Sequence, residues 1–336
     1  MPRDRGHRDA RIRGLVSVNG FDLDLAVDGK SVEAACCNAS GWVAGTMNDA
    51  DGSARGFLWR NGVWHPFDAT LPGQPPERAS TSVYWINAAG QLVGRLTDVE
   101  GSGPGFLCTP GSPERPGEGT SVELAVDGAA DAIPQCVNAA GVVVGYAEVA
   151  TKDGEAVRAF AWHGTTPVPI TPAPGSSATL AIAINNAGVV IGYYNDDASG
   201  RVVGFLWRAG ETVILDVAGA THTYPSGIND AGQVVGHSCG ADGARAFLYD
   251  GSFRSIHPSL VGVECHATAI NDAGDVVGDY RDGDRWIGFV CRAGGLTPIA
   301  RPGSAMTIPY MIGAGGMVVG YSTVPGGRAA LPRSAR

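Results

Sequence analysis

Residues 228–237 read INDAGQVVGH, and this ten-residue pattern decides the fold because it recurs along the chain. The pattern is apolar–Asn–x–x–Gly–x–apolar–apolar–Gly–x. Its copies occupy residues 37–46, 86–95, 137–146, 184–193, 228–237, 270–279 and 312–321, with Gly313 in place of Asn in the last copy. The closing glycines are 42 to 51 residues apart. Self-similarity at such a spacing is typical of proteins built from stacked repeats.

A second short phrase follows each copy. It reads GFLW, GFLC, AFAW, GFLW, AFLY and GFVC at residues 56–59, 105–108, 159–162, 204–207, 246–249 and 288–291, and it is degraded to AALP at residues 329–332. We interpret each repeat as four short antiparallel strands, A to D. Strand A precedes the Asn, and Asn-x-x-Gly is a tight turn whose Gly can take a positive φ. The apolar–apolar–Gly run is strand B, its Gly begins a loop, the second phrase is strand C, and a further apolar run is strand D.

The repeats predict an all-β fold, a seven-bladed β-propeller of four-stranded antiparallel blades. Four strands in about 45 residues cannot bury both faces of their sheet, so neighbouring sheets must stack, and radial stacking gives a propeller. A β-solenoid and a pair of β-sandwiches are the alternatives, but solenoid repeats are usually shorter and sandwiches do not contain seven copies of one unit. We expect one domain over residues 15–336, preceded by a flexible segment at residues 1–14.

The two ends of the chain complement each other. The last repeat ends after AALP without room for a fourth strand, and residues 15–27, LVSVNGFDLDLAV, form a strand-like segment that belongs to no repeat. We therefore predict that this N-terminal strand completes the last blade and closes the ring, which removes its open sheet edges.

The repeat itself resembles a known family. The phrases INDAGQVVG at residues 228–236 and AFLY at residues 246–249, with their other copies, are similar to the HAF family of bacterial "probable extracellular repeats". The resemblance covers residues 30–332, and seven copies make it specific. It implies a propeller-like repeat fold, and it implies little about chemistry because the family is defined by its repeat.

Composition excludes several classes of partner. The chain has 336 residues, of which 24 are Lys or Arg and 33 are Asp or Glu, so its net charge is −9. An acidic surface repels nucleic acid and anionic lipid, and no run of 18 apolar residues predicts a membrane span. Residues 1–13 carry five arginines but no apolar stretch follows, so we expect a cytoplasmic monomer, or an extracellular one if a leader has been removed.

The cysteines and the Asp-Gly loops each have two interpretations. Seven cysteines without a C-x-x-C motif favour reduced, buried thiols over a disulfide framework. Loops such as residues 48–52 and 282–284 resemble calcium loops, but they lack the spaced carboxylates and the distal Glu, which favours hairpin turns.

Antiparallel connectivity predicts where a ligand site lies. The Asn-x-x-Gly turns lie at one end of the blades, so the residues that enter strand A and those that leave strand B share the opposite mouth of the central channel. Loops on a rigid scaffold commonly carry binding residues, and residues two apart in a strand lie on one face. The entering pairs are Ser31/Glu33, Ser80/Ser82, Asp131/Ile133, Ala178/Leu180, His222/Tyr224, Glu264/His266 and Met306/Ile308. The leaving pairs are Thr46/Asn48, Arg95/Thr97, Tyr146/Glu148, Tyr193/Asn195, His237/Cys239, Asp279/Arg281 and Tyr321/Thr323.

Repeats five and six concentrate titratable residues at this mouth, an asymmetry that a purely structural ring does not need. We predict that His222, His237 and His266 transfer protons, oriented by Glu264 or Tyr224. Arg281 is predicted to bind an anionic substrate group. The further candidates for substrate binding are Asp279, Tyr193, Tyr310, Arg95, Tyr146 and Glu33.

Other roles stay open for the same side chains. His222, His237 and His266 with Glu264 also suit a divalent metal, although their spacing matches no zinc signature, and they also suit a hydrogen-bonded rim without chemistry. Cys239 has the strand parity of a thiol nucleophile beside a histidine, whereas Cys265 and its neighbour must face opposite sides.

The sequence therefore favours a small-molecule enzyme that uses acid–base chemistry: a lyase, a cyclase or a hydrolase without a nucleotide or redox cofactor. It contains no P-loop, dinucleotide fingerprint, nucleophile elbow or metalloprotease helix. The alternative is a non-catalytic propeller that binds a glycan, a peptide or a protein partner at the same mouth. A sugar-acting enzyme is a third possibility, for which the paired carboxylates are few.

Overall fold

The computed structural model describes residues 12–18, 21–25, 27, 30–49, 53–72, 80–98, 102–111, 119–152 and 154–323. Over these residues the chain forms β-strands and one 3-10 turn at Pro258–Leu260, which confirms the all-β prediction. The strands up to residue 170 are β1 (Ile12–Val18), β2 (Phe21–Leu25), β3 (Ser31–Cys37), β4 (Val43–Asn48), β5 (Ala54–Arg60), β6 (Val63–Phe67), β7 (Ser80–Ile86), β8 (Leu92–Thr97), β9 (Gly105–Thr109), β10 (Thr120–Leu124), β11 (Ala129–Val137), β12 (Val142–Thr151), β13 (Gly154–His163) and β14 (Thr166–Ile170). Those that follow are β15 (Thr179–Ile184), β16 (Val190–Asp196), β17 (Arg201–Arg208), β18 (Glu211–Leu215), β19 (His222–Ile228), β20 (Val234–Gly240), β21 (Gly243–Tyr249), β22 (Phe253–Arg254), β23 (Cys265–Ile270), β24 (Val276–Asp282), β25 (Arg285–Arg292), β26 (Gly295–Ile299), β27 (Thr307–Ile312) and β28 (Val318–Thr323).

Strands that follow each other in a repeat pair antiparallel. Four-stranded sheets have the orders β3-β4-β5-β6, β10-β9-β8-β7, β11-β12-β13-β14 and β23-β24-β25-β26. The strands β15 to β22 form one eight-stranded sheet, in which a single parallel bridge between Val202 and His222 connects repeats four and five.

The last sheet contains both ends of the described chain, in the order β2-β1-β28-β27. The expectation of one N-terminal strand starting at Leu15 differs from the structure, which has a hairpin of two strands starting at Ile12. Gly14 lies opposite Tyr321, as Gly204 lies opposite Tyr193 in repeat four, so β1 takes the strand C position. From the sequence we interpret AALP at residues 329–332 as strand C of the last repeat. These four residues lie outside the described residues.

The closing glycine of each repeat lies inside strand B rather than at the start of a loop. A Cβ at Gly236 would lie 2.2 Å from the backbone oxygen of Tyr224 and 2.8 Å from the ring of Phe247. Only glycine allows strands A and B to approach so closely. The Phe of strand C then packs beneath the glycine, and this ring is fully buried at Phe57, Phe106, Phe205 and Phe289.

The core lies between neighbouring sheets. In one cluster Ala159 of repeat three packs with Ala181 and Phe205 of repeat four and with Val234 of repeat five. Burial of apolar area between the sheets is the main stabilising contribution. All seven cysteines are free, and each except Cys239 is buried.

A chain of asparagine side chains links the turns of consecutive repeats. Each Asn of the repeat pattern donates its Nδ2–H to the backbone oxygen of the corresponding residue in the next repeat. The links are Asn38 to Asn87 (3.1 Å), Asn87 to Asn138 (2.9 Å), Asn138 to Asn185 (3.2 Å), Asn185 to Asn229 (3.0 Å), Asn229 to Asn271 (3.1 Å) and Asn271 to Gly313 (3.2 Å). Gly313 has no side chain to continue the series, and there the last repeat meets the first: Cys37 donates its thiol to the oxygen of Met317 at 3.7 Å.

Candidate functional site

The entering and leaving residues face each other across strands A and B. Among the cross-strand pairs are Ser82 with Arg95, Ile133 with Tyr146, Leu180 with Tyr193, Tyr224 with His237, His266 with Asp279 and Ile308 with Tyr321. The structure therefore brings these residues to the end of the sheets opposite the Asn-x-x-Gly turns.

The first entering position holds neighbouring repeats together. Ser80 Oγ accepts the backbone N–H of Ala54 at 3.0 Å, and Asp131 Oδ1 accepts that of Gly103 at 2.8 Å. His222 Nδ1 accepts the N–H of Val202 at 3.0 Å in the same way. Because an acceptor nitrogen carries no proton, His222 has its proton on Nε2. His222 is thus part of the joint between repeats four and five.

Two residues at the second positions form a hydrogen-bonded dyad. His266 Nδ1 lies 2.9 Å from Oδ1 of Asp279, whose side chain is 6% exposed. We expect from the sequence that Glu264 orients the histidines, but the structure gives this position to Asp279. Glu264 instead lies 3.9 Å from the Arg281 guanidinium, where both side chains are more than 40% exposed. The reason is position along the strand: Glu264 lies before β23 begins at Cys265, whereas His266 and Asp279 are directly paired across β23 and β24.

His237 lies between the dyad and an aromatic residue. Its ring stacks on Tyr224 at 5.1 Å between centroids and meets the His266 ring edge-on at 4.7 Å. Burial, and secondarily the neighbouring His266, lowers the pKa of His237 to about 3. Its buried Nδ1 has no hydrogen-bond partner among the described residues. His237 is therefore a neutral imidazole at physiological pH.

A cavity of about 750 Å³ opens beside these residues and extends over repeats three to five. His237, Tyr224, Tyr193 and Tyr146 line it. The rings of Tyr193 and Tyr224 are 5.2 Å apart and nearly perpendicular, at 83°. Burial raises the pKa of Tyr193 to about 12, and the neighbouring tyrosines add to the effect.

A second polar cluster connects repeat seven to repeat one. Tyr310 is hydrogen-bonded to Glu33 and to Tyr321. Burial raises the pKa of Glu33, and the hydrogen bond from Tyr310 only partly offsets this effect. Burial also raises the pKa of Tyr321 to about 12, with further contributions from Glu33 and Asp279. The carboxyl group of Glu33 is thus held in an environment that favours its neutral form.

The remaining predicted residues lie on the periphery. The Arg95 guanidinium is paired with Asp131 and bonded to the oxygen of Gly103 at 3.0 Å. Arg281 is exposed and lies 5.7 Å above the ring of Trp286. Cys239 lies at the rim, where burial and Glu264 raise its pKa, so it is a poor nucleophile.

One ring of residues follows no obvious sequence signal. In every repeat strand A contains a β-bulge, which places one extra residue opposite the partner strand. The bulged residues are Ala35, Tyr84, Gln135, Ile182, Ser226, Thr268 and Tyr310. All of them line a second cavity, of about 690 Å³, at the end of the channel where the asparagine turns lie. Only Tyr310 is among the residues predicted from the sequence.

Two other features concern metals and membranes. Within the described ranges, no three His, Cys, Asp or Glu side chains come together as metal ligands. Nor does any helix in the described ranges have the length and apolar character needed to cross a membrane.

Comparison with known proteins shows the fold alone. No protein-family model matches the chain, and no curated protein matches it in sequence. Solved structures that are similar to it include the acylaminoacyl peptidase of Pyrococcus horikoshii (TM-score 0.56, 12% identity, 82% of this chain and 46% of that chain). Another is the β-propeller domain of the Trilobed protease from Pyrococcus furiosus (TM-score 0.53, 12% identity, 85% of this chain and 89% of that chain). A third is a puromycin-hydrolyzing peptidase of Mycobacterium tuberculosis (TM-score 0.50, 13% identity, 81% of this chain and 54% of that chain). The chain thus has a fold of the β-propeller class.

Proposed function

We propose that this chain is a seven-bladed β-propeller and that the mouth opposite the asparagine turns is the active site of a small-molecule enzyme that uses acid–base chemistry. The blade count follows from treating β15 to β22 as two blades, since one bridge joins them. The last blade is then β2-β1-β28-β27, in which the N-terminal hairpin closes the ring. The repeat pattern further supports membership of the HAF repeat family.

The His266–Asp279 dyad carries the functional proposal. Burying a carboxylate costs free energy unless hydrogen bonds compensate for the lost water, and the side chain of Asp279 is only 6% exposed. Its bond to Nδ1 fixes the orientation of the His266 ring and stabilises the imidazolium that forms when Nε2 accepts a proton. This arrangement suits general acid–base catalysis near neutral pH.

His237 has a different role from the one that its residue type alone predicts. A pKa of about 3 makes it too weak a base to take protons at pH 7. As a neutral imidazole it orients a substrate group by hydrogen bonding, while Tyr224 packs on its ring. We assign the proton transfer to His266, the orientation of His266 to Asp279, and substrate contact to His237, Tyr224 and Tyr193.

The reaction class that fits is a lyase, a cyclase or a hydrolase without a nucleotide or redox cofactor. The alternative is a binding propeller for a glycan, a peptide or a protein. The dyad favours the enzyme because passive binding does not require a buried carboxylate behind an imidazole. The cavity of about 750 Å³ also suits a small molecule better than a flat protein surface.

The test is untargeted. Wild-type protein, His266→Ala and His163→Ala are each incubated with a bacterial small-molecule extract, and mass spectrometry records which compounds disappear and which form. His163 is an exposed residue at the end of β13, opposite Val142, so its variant should behave like wild type. We expect a substrate–product pair with wild type and with His163→Ala but not with His266→Ala. Identical conversion by His266→Ala, or no conversion by any protein, would refute the proposal.

A further inference from the structure

The cavity at the mouth has aromatic walls on three successive repeats. Tyr146, Tyr193 and Tyr224 are half-buried and line the cavity. The rings of Tyr193 and Tyr224 meet nearly at a right angle, so they form two adjacent walls. Burial raises the pKa of all three phenols, which keeps them neutral at pH 7. The face of a neutral aromatic ring carries negative electrostatic potential.

The charged groups around the cavity have the same sign. Asp131 and Glu148 are lining residues, and the described lining contains no Lys or Arg. Arg95 lies close to Tyr146, but its guanidinium is neutralised by Asp131. His237 contributes no charge because its pKa is about 3. The exposed carboxylate of Glu148 therefore leaves a cavity that attracts cations and repels anions.

We propose that this cavity binds the alkylated ammonium group of a cationic ligand, for example a trimethylammonium group. Such a group has a low desolvation cost and is held by the faces of aromatic rings, with a carboxylate nearby for its charge. The inference rests on the proposed function in one respect, since it takes the same cavity as the ligand site. It replaces the anionic substrate group expected from Arg281, because that side chain lies over Trp286 at the rim.

A pair of isosteric probes tests the charge requirement directly. Choline and 3,3-dimethyl-1-butanol have the same shape, but only choline carries a positive charge. Binding of each to the full chain is measured by isothermal titration calorimetry. We expect choline to bind at least about ten-fold more tightly than the neutral alcohol. Equal binding of the two probes, or no binding of choline, would overturn the proposal.

Three variants locate the binding. Tyr193→Ala should weaken choline binding about ten-fold, whereas Tyr193→Phe, which keeps the ring, should bind within about three-fold of wild type. Glu148→Gln, at an exposed position that does not support the core, should weaken binding several-fold, and Glu155→Gln on β13 is the matched control. If Tyr193→Ala and Glu148→Gln both bind choline as tightly as wild type does, the cation binds elsewhere and the proposal is wrong.

The two proposals fail in different ways. Titration with choline measures binding without turnover, so it does not depend on the His266–Asp279 dyad. Absence of conversion in the extract experiment, together with choline binding at Tyr193, would remove the enzyme and keep the cation site. Conversion that depends on His266, without choline binding, would keep the enzyme proposal and remove the cation site.

Discussion

His266 Nδ1 lies 2.9 Å from Oδ1 of Asp279, and the two residues occupy directly opposed positions on β23 and β24. No other repeat has an imidazole and a carboxylate at this cross-strand position. Two of the other pairs are Glu33 with Thr46 and Ser82 with Arg95, and in the remaining four the entering residue is apolar or aromatic. The dyad is therefore a local specialisation of a repeated scaffold. In the proposed function, this pair is the one among the polar residues at the mouth that is arranged for chemistry.

Asp279→Asn tests the role of the carboxylate. The amide keeps the shape of the side chain but removes its charge, so it no longer stabilises a protonated His266. We expect the conversion identified with wild-type protein to slow by about 100-fold or more, because the imidazolium formed during proton transfer loses its counter-charge. Conversion rates of the folded variant and of wild type check this. An unchanged rate would show that Asp279 only supports the structure.

His237 predicts how stability changes with pH. Its folded-state pKa of about 3 is below its ordinary value of 6.5, so between these values the unfolded chain binds a proton that the folded chain does not. Stability is therefore present above pH 6.5 and declines as the pH falls toward 3. From pH 7 to pH 4 this one residue lowers the free energy of unfolding by about 3 kcal/mol. Urea denaturation of wild type and His237→Gln at both pH values measures the difference.

The comparison has an internal check. The glutamine variant has no titrating group at this position, so its stability should fall less between pH 7 and pH 4. The ring signals of His237 in NMR spectra should also remain those of a neutral imidazole down to pH 4. Parallel loss of stability in both proteins would show that other groups cause the acid sensitivity.

Glu33→Gln should stabilise the protein at neutral pH. Burial raises the pKa of Glu33, which means that its charged form is disfavoured in the folded state. The protonated form of Glu33 therefore favours folding at low pH, and this contribution to stability is lost as the pH rises through the folded-state pKa of Glu33. Gln resembles the protonated acid and still bonds to Tyr310. We expect a higher melting temperature at pH 8 and no difference at pH 4; a lower melting temperature at pH 8 would contradict this account.

Much of the fold is predictable from the sequence because the repeat is strong. Apolar–Asn–x–x–Gly locates strands A and B, and the Phe of strand C marks the residue that fills the core under the closing glycine. The N-terminal hairpin is harder to recognise. Its strand C phrase reads GLVS at residues 14–17 and lacks the aromatic residue, so only pairing with β28 reveals it.

The site is less predictable for a reason that lies in the backbone. Alternation places His266 and Tyr224 at the mouth correctly, because a strand has a period of two. It fails at the β-bulge, where Tyr84 and the adjacent Trp85 both line the cavity in the channel although alternation would place them on opposite faces. It also cannot say which carboxylate reaches His266, since Glu264 is closer in sequence but Asp279 lies across the strand.

Asn138→Ala tests the asparagine chain. Asn138 Oδ1 accepts the N–H groups of Ala140 and Val142, and its Nδ2 donates to the oxygen of Asn185. The variant loses all three bonds, of which the one to Asn185 is buried, and we expect this loss to cost about 2–3 kcal/mol. Denaturant unfolding measures this against Asn195→Ala, whose Nδ2 makes an exposed hydrogen bond. Equal stability of the two variants would mean that water replaces the chain of bonds at no cost.

Closure of the ring by the N-terminal hairpin is testable at Leu15. This side chain is 2% exposed and packs with Val277 and Ile299 of repeat six, while the next residue, Val16, packs with Val32 of repeat one. Strand β1 thus lies between the cores of two repeats that are far apart in sequence. We expect Leu15→Ala to lower the free energy of unfolding by about 2–5 kcal/mol.

Deletion of residues 1–28 should have a larger effect than any point variant, because it removes two strands of the last sheet and exposes the cores on both sides. The expected result is loss of a single cooperative unfolding transition, followed by circular dichroism and by tryptophan fluorescence. Val63→Ala is the matched control, since Val63 is 54% exposed on β6 and its variant should unfold like wild type. A deletion variant that still melts in one transition near the wild-type temperature would show that the sheets hold together without the hairpin. Leu15 would then be an ordinary core residue that does not help to close the ring.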